Sequence, residues 1–275
     1  MKKVTVRDIL ERKGGEKITC LTAYDYAFAR LIDRSGVDIV LVGDSLGMVV
    51  LGYESTVPVT MRDMLHHTKA VTRAVKRALV VADMPFASFQ KSAESAVRNA
   101  VRFLKEAGAH AVKVEGPVFE EVRALARAGI PVMGHVGLTP QSATQLGGYR
   151  VQGRNQRESG RILQEAKALA RAGAFSVVLE CVPWTLARDI TRALAVPTIG
   201  IGAGPHCDGQ VLVMHDLLGL EERLRPRFAR RYAELGALTE DAVRRYCSDV
   251  RRGLFPTLDE SFEIKAKERS QVVKR

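Results

Sequence analysis

The chain has 275 residues, of which 46% are hydrophobic and 27% charged, enough apolar material for one large core or two small ones. No apolar run approaches the ~18 residues of a membrane-spanning helix. The start, MKKVTVRDILERKGG, lacks the apolar stretch and the small-residue cleavage site of a secretory signal. The net charge of +11 raises the question of nucleic acid. However, the Lys and Arg residues are spread along helices with interleaved acids, and only 6% of residues are aromatic, so neither a nucleic-acid nor a membrane partner is expected. Cys20, Cys181, Cys207 and Cys247 lie far apart without a C-x-x-C. They make neither a zinc cassette nor a small disulfide framework, and the expected setting is a reducing cytoplasm.

In chain order, residues 1–15 read as a short amphipathic helix with Val6, Ile9 and Leu10 on one side. Strand-length apolar runs follow near 17–24, 38–43, 78–83, 111–115, 131–135, 176–180, 197–201 and 210–214. Helical stretches lie between them at 25–35, 60–77, 92–107, 118–128, 158–172 and 184–194. Several of these helices stop at Gly36, Gly108, Gly129 or Gly173, where glycine takes the left-handed cap without a Cβ penalty. Thr60 and Ser92 read as N-caps, but only Thr60, with Asp63 three residues on, resembles a capping box. Eight strands alternating with helices over about 220 residues predict an α/β fold, a (β/α)8 TIM barrel. A doubly wound open sheet is the alternative, weakened by the absence of G-x-G-x-x-G after the first strand. Beyond Gly219 the chain turns helical and charged. The division expected is a barrel domain over 1–256, with an N-terminal helix and a C-terminal helical extension, and a polar basic tail over 257–275. Residues 137–157, rich in Gly, Gln and Thr, form a long loop of the kind that covers binding sites.

Five acids close apolar runs: Asp25, Asp44, Asp83, Glu115 and Glu180. A carboxylate is a poor residue at a buried strand end unless a cation or a reaction uses it. One such acid alone reads as a helix cap. Several at the C-terminal ends of barrel strands converge on one mouth, where barrel active sites lie. Alternation puts Lys113 and Glu115 on the same side of their strand, Asp44 on the side of Val40 and Val42, Glu180 with Val178, and Cys181 on the opposite, core side. Asp44, Asp83 and Glu115, with no Cys or His nearby in sequence, suit a hard cation such as Mg²⁺. His135 reads either as a neutral donor to a substrate or as a satisfied structural histidine. His66-His67 reads as structural or interfacial, and GIGAG at 200–204 as a phosphate approach or simply tight packing.

The segments TAYDYAFA (22–29), LVGDSLGM (41–48), ADMPF (82–86), VKVEG (112–116), GHVGLTPQS (134–142), GGYRVQGR (147–154), LECVP (179–183), IGIGAG (199–204) and DGQVLVMHD (208–216) resemble the ketopantoate hydroxymethyltransferase family. The resemblance runs in order over roughly 3–256; Arg150 stands where that family's pattern suggests Lys. It implies a Mg²⁺-dependent (β/α)8 enzyme of pantothenate and coenzyme A synthesis. Such an enzyme transfers a hydroxymethyl group from the co-substrate 5,10-methylenetetrahydrofolate to 3-methyl-2-oxobutanoate, giving 2-dehydropantoate through a Mg-stabilised enolate. By the same resemblance Asp44, Asp83 and Glu115 match the metal acids, and Asp44, Ser45, Asp83 and Lys113 match the ketoacid-binding groups, with His135 beside them. Glu180 matches the general base. Asp25 drops out as a helix cap. The resemblance also implies a homo-oligomer, a decamer.

Overall fold

The eight apolar runs form eight short parallel strands in a computed structural model that describes residues 2–145, 147–221, 223 and 226–263. They are β1 (Ile18–Thr22), β2 (Ile39–Val42), β3 (Leu79–Asp83), β4 (Ala111–Lys113), β5 (Val132–Gly137), β6 (Ser176–Glu180), β7 (Thr198–Ile201) and β8 (Gly209–Leu212). Each pairs with the next, and β1 pairs with β8 through Ile18–Gly209 and Cys20–Val211, closing the barrel in sequence order. The expected (β/α)8 barrel is therefore the fold, and the open-sheet alternative is excluded.

Strand alternation sorts the apolar side chains into two layers. Ile18, Cys20, Ile39, Leu41, Leu79, Val81, Ala111, Met133, Val178, Ile199 and Val211 fill the barrel. Val40, Val42, Val80, Ala82, Val112, Val132 and Val177 face outward onto the helices. Each fully buried Val, Leu or Ile contributes about 1.5–3 kcal/mol. The helices that receive the outer layer are α2 (Tyr26–Arg34), α4 (Met61–Ala74), α5 (Ala93–Lys105), α6 (Phe119–Arg127), α7 (Gln156–Ala172) and α8 (Trp184–Ala193). Their buried faces include Ile32, Met64, Phe103, Leu125, Leu169 and Ile190.

The helix ends follow the expected chemistry. Gly36, Gly108, Gly129 and Gly173 all have positive φ. Thr60 and Asp63 form a capping box. Ser92 forms one as well, which the sequence reading did not expect: the Ser95 hydroxyl replaces the usual acid by accepting from Ser92 N at 3.2 Å. Asp25 accepts from Phe28 N at 2.9 Å and caps α2, as anticipated.

One end of the barrel is closed by α1 (Val6–Glu11), whose Ile9 is fully buried with Val4 against the barrel interior. Arg12 pairs with Asp38, and Lys13 with Asp208, both at 2.8 Å, at the N-terminal ends of β2 and β8. The opposite, C-terminal end stays open. Two short elements missed in the sequence stand there: α3 (Leu46–Val49) and a 3₁₀ turn over Pro140–Ser142. After β8, only the five-residue α9 (Met214–Leu218) follows directly. The C-terminal extension α10 (Leu235–Arg251) has no buried residue among its 17. Residues 264–275 of the anticipated tail lie outside the described residues. Among the described residues no helix is long and apolar enough to cross a membrane.

Candidate active site

The open end holds a cavity of about 460 Å³ whose lining includes Asp44, Ser45, Asp83, Lys113, Glu115, His135 and Glu180. All the site residues expected from the sequence thus meet in one place. Their elements explain the convergence. Asp83 ends β3, Lys113 ends β4, His135 lies in β5 and Glu180 ends β6. Asp83 and Lys113 are paired in register across adjacent strands.

Asp44 reaches the cavity by a different route from the one expected. Val40 and Val42 face the helices, so simple alternation would have turned Asp44 outward. Strand β2 stops at Val42, and the chain turns at Asp44-Ser45, which carries the carboxylate inward. Ser45 is held there by a hydroxyl–hydroxyl contact with Tyr24 at 2.9 Å. Cys181 is a second correction. It lines the cavity instead of joining the core, because its φ of 46° breaks the alternation after β6. Burial pushes its thiol up to about 12, which leaves it a poor nucleophile.

Around Lys113 the charges are dense and almost dry. Its Nζ donates to both oxygens of Asp83 at 2.8 Å and to Glu115 Oε1 at 3.3 Å. Three buried carboxylates thus face one ammonium. Burial, then the charges of Asp83 and Glu115, push Asp44 well above the usual carboxylate range. Burial also pushes Asp83 up, against the pull of Lys113. For Glu115, burial is outweighed by Lys113 and His135, which hold it down at about 2. His135 is 1% exposed. Its Nδ1 lies 3.3 Å from Glu115 Oε1 and its Nε2 3.4 Å from Glu180 Oε2, yet neither nitrogen has hydrogen-bond geometry. Burial and Lys113 lower its pKa, but the two flanking carboxylates prevail and raise it to about 9.

The three acids have the donor set to hold a small hard dication. Asp44, Asp83 and Glu115 each offer an oxygen, and the three oxygens lie within 4.8 Å of one another. Oxygen donors alone, with space for water and substrate oxygens beside them, match Mg²⁺ rather than Zn²⁺.

Sequence reasoning missed Gln141. This buried side chain in the 3₁₀ turn donates from Nε2 to Asp44 Oδ2 and to the Met84 carbonyl, both at 2.9 Å, and accepts from Gln90 at 3.2 Å. Its backbone N–H donates to Glu115 Oε2 at 3.1 Å. It therefore braces two of the three acids from the long loop. Tyr149, Arg150 and Val151 of the same loop also line the cavity, so that loop belongs to the site. The remaining motifs are structural. His67 Nδ1 meets the Tyr24 carbonyl at 2.6 Å. In GIGAG, an added Cβ at Gly204 would lie 2.4 Å from Trp184 and one at Gly202 2.8 Å from Phe228, so close packing is its role.

The fold alone is shared with distant structures. Phosphonopyruvate hydrolase, solved with oxalate and Mg²⁺, superposes with a TM-score of 0.61 at 13% identity, covering 98% of both chains. For 2,3-dimethylmalate lyase, a member of the PEP mutase/isocitrate lyase superfamily, the TM-score is 0.58 at 18% identity, again over 98% of both chains. Sequence relatives are far closer. The 3-methyl-2-oxobutanoate hydroxymethyltransferase of Moorella thermoacetica is 62% identical over 254 residues, 92% of this chain and 94% of that protein. The protein of the same name from Syntrophus aciditrophicus is 60% identical over 253 residues, 91% of this chain and 93% of its own length. The family model for ketopantoate hydroxymethyltransferase matches residues 3–258. With a match over nearly its whole length, the chain belongs to the ketopantoate hydroxymethyltransferase family.

Proposed function

We propose that this chain transfers a hydroxymethyl group from 5,10-methylenetetrahydrofolate to 3-methyl-2-oxobutanoate, giving 2-dehydropantoate for pantothenate and coenzyme A synthesis. The observation that carries this reading is the pairing of two unlike groups across one cavity: the Asp44–Asp83–Glu115 cage with Lys113, and Glu180 next to His135. Enolisation of a 2-oxo acid needs positive charge at its oxygens and a base at C3.

Asp44, Asp83 and Glu115 would hold Mg²⁺, which when bound supplies Lewis-acid polarisation of the ketoacid oxygens. Lys113 adds a fixed ammonium beside the same acids, while Ser45 and His135 supply hydrogen-bonding groups to orient the substrate. Glu180 removes the C3 proton; its side chain is 16% exposed, enough to face a substrate in the cavity. The new C3–C bond is made to the donor's methylene carbon as one of that carbon's two C–N bonds breaks, and the second C–N bond breaks when water adds. One water supplies the hydroxyl oxygen, and tetrahydrofolate leaves with its nitrogens reprotonated. Several exposed apolar residues on α10 (Leu238, Val243, Tyr246 and Val250) favour a homo-oligomer, and a monomeric mass in light scattering would refute that part.

The decisive assay supplies purified protein, Mg²⁺, 3-methyl-2-oxobutanoate and 5,10-methylenetetrahydrofolate and follows 2-dehydropantoate. Folded protein that forms none would refute the reading. A panel of other 2-oxo acids, with and without folate, separates it from C–C cleavage or phosphonate chemistry on the same barrel. In a Glu180→Gln variant, deuterium exchange at C3 should vanish while the ketoacid still binds; full exchange would remove Glu180 as the base.

A further inference from the structure

The cavity is larger than the ketoacid requires. At about 460 Å³ it falls in the range of pockets that take whole drug-sized ligands, whereas 3-methyl-2-oxobutanoate has only five carbons. The groups assigned to the ketoacid come from the ends of β2 to β6. The rest of the lining has another character. It includes Met48, Tyr149, Val213, Asp216, Pro226 and Phe228, a largely apolar and aromatic surface that also carries Arg150 and a second carboxylate, Glu221, which is paired with Arg223 at 2.9 Å.

Asp216 lies in the first turn of α9, which starts at Met214 just after β8, and is half-buried. No hydrogen bond is among the influences on its side chain, whose charged neighbours among the described residues are Glu221 and Arg231. Burial, reinforced by Glu221, pushes it up to about 6 against the pull of Arg231. A partly dry carboxylate without a donor lacks the partner that such a group normally has. The aromatic side chains of this lining are partly exposed, Tyr149 at 49% and Phe228 at 37%. Phe228 packs on the backbone just beyond β7, so tightly that a Cβ at Gly202 would lie 2.8 Å from its ring. Tyr149 places its hydroxyl 3.6 Å from Met48 Sδ.

A flat heteroaromatic ring with two parallel N–H donors on one edge suits this surface. The two donors would lie on the two carboxylate oxygens in the fork geometry that guanidinium groups use, and the ring face would rest on the aromatic side chains. The 2-amino-4-oxopteridine of a reduced folate has that edge and that face. We propose that Asp216 receives the N–H edge of the donor's pterin ring, with Phe228 and Tyr149 against the ring. The proposal rests on the folate-dependent reading above and gives its second substrate a place.

The test uses the full-length Mg²⁺-loaded enzyme and an Asp216→Asn variant. Tetrahydrofolate binding is measured by calorimetry, and KM is measured separately for 5,10-methylenetetrahydrofolate and for 3-methyl-2-oxobutanoate. Folate-free deuterium exchange at C3 of the ketoacid reports the other half of the site. The expected result is a rise of about tenfold or more in the donor's KM and in the tetrahydrofolate Kd, with ketoacid exchange retained. Should Asp216→Asn fold poorly, Phe228→Leu gives the same reading through a selective rise in the donor's KM. Wild-type turnover combined with unaltered folate affinity in both variants would overturn the pterin subsite and leave the functional reading standing. Equal loss of ketoacid exchange would also overturn it, because Asp216 would then serve the whole site. A wild-type enzyme that neither binds tetrahydrofolate nor turns over would overturn both together.

Discussion

Replacing Lys113 by Met tests the electrostatic account of the site without relying on turnover. Met keeps much of the side-chain volume and removes the ammonium that touches Asp83 twice at 2.8 Å and Glu115 at 3.3 Å. At an effective dielectric constant of about 20, each ionised contact near 3 Å is worth roughly 5–6 kcal/mol before desolvation is subtracted. Most of that is offset by the cost of burying the charges. Breaking a buried pair from one side nevertheless costs about 3–5 kcal/mol, because the remaining charge has no partner. For a chain of this size that corresponds to a fall in Tm of roughly 6–20 °C. The measurement is thermal unfolding in EDTA and again with saturating Mg²⁺. A bound cation stabilises by about 2.7 kcal/mol at a hundredfold excess over its Kd. In Lys113→Met only His135 remains beside the three acids to offset their charge, so Mg²⁺ should raise Tm more than it does in the wild type. A variant as stable as the wild type in EDTA, or one with no larger response to Mg²⁺, would refute the reasoning.

Gln141→Leu leaves Asp44 Oδ2 and the Met84 carbonyl buried without their shared donor, so it should cost about 2–4 kcal/mol in urea unfolding; Asp44, more readily protonated without that donor, should bind Mg²⁺ more weakly by calorimetry. Gly137→Ala should be more damaging locally, since φ is +97° and the new Cβ would lie 2.3 Å from the Glu180 carbonyl oxygen. A loss of about 3 kcal/mol or more in the same unfolding assay is expected, and a neutral result would show that the β5 end can shift away from Glu180. Acid should loosen the closed end of the barrel. Burial would raise the carboxyl of Asp208, but bonds from Lys13, Thr198 and Gly14 hold it below its ordinary value. A depressed folded-state pKa contributes stability that is present above the unfolded value of about 3.9 and is lost as pH falls through the folded value. Urea midpoints should therefore drop below about pH 4, and Asp208→Asn should flatten that part of the profile; an unchanged slope would exclude Asp208 as a source of the acid sensitivity.

The barrel was legible because its signals are local and repeated. Most strands are short apolar runs rich in Val, Ile or Leu, and helices ended at Gly36, Gly108, Gly129 and Gly173, where only a left-handed residue closes the turn. Asp83, Lys113 and Glu180 were legible by the same logic, because they still belong to strands and obey alternation. Alternation fails one residue past a strand end, where the backbone is no longer extended. Asp44 was expected at the barrel mouth, on the side of Val40 and Val42; that side faces the helices, and the carboxylate reaches the mouth only because the chain turns after β2. Cys181 was expected in the core and instead takes positive φ and lines the cavity. Gln141 carried no signal at all. Its role depends on contacts to Asp44, 97 positions away, and to Glu115, 26 positions away, and no local spacing encodes a bond of that range. The same limit hid Asp216, which in sequence is only the acid of a short helix start. Its meaning comes from facing the same cavity as Tyr149 and Phe228, a juxtaposition that the closed barrel creates by gathering the segments after β5 and β8 around one mouth. Residues whose function lies in strand chemistry can therefore be read from the chain, while residues that brace the site or complete a second substrate's surface require the closed barrel.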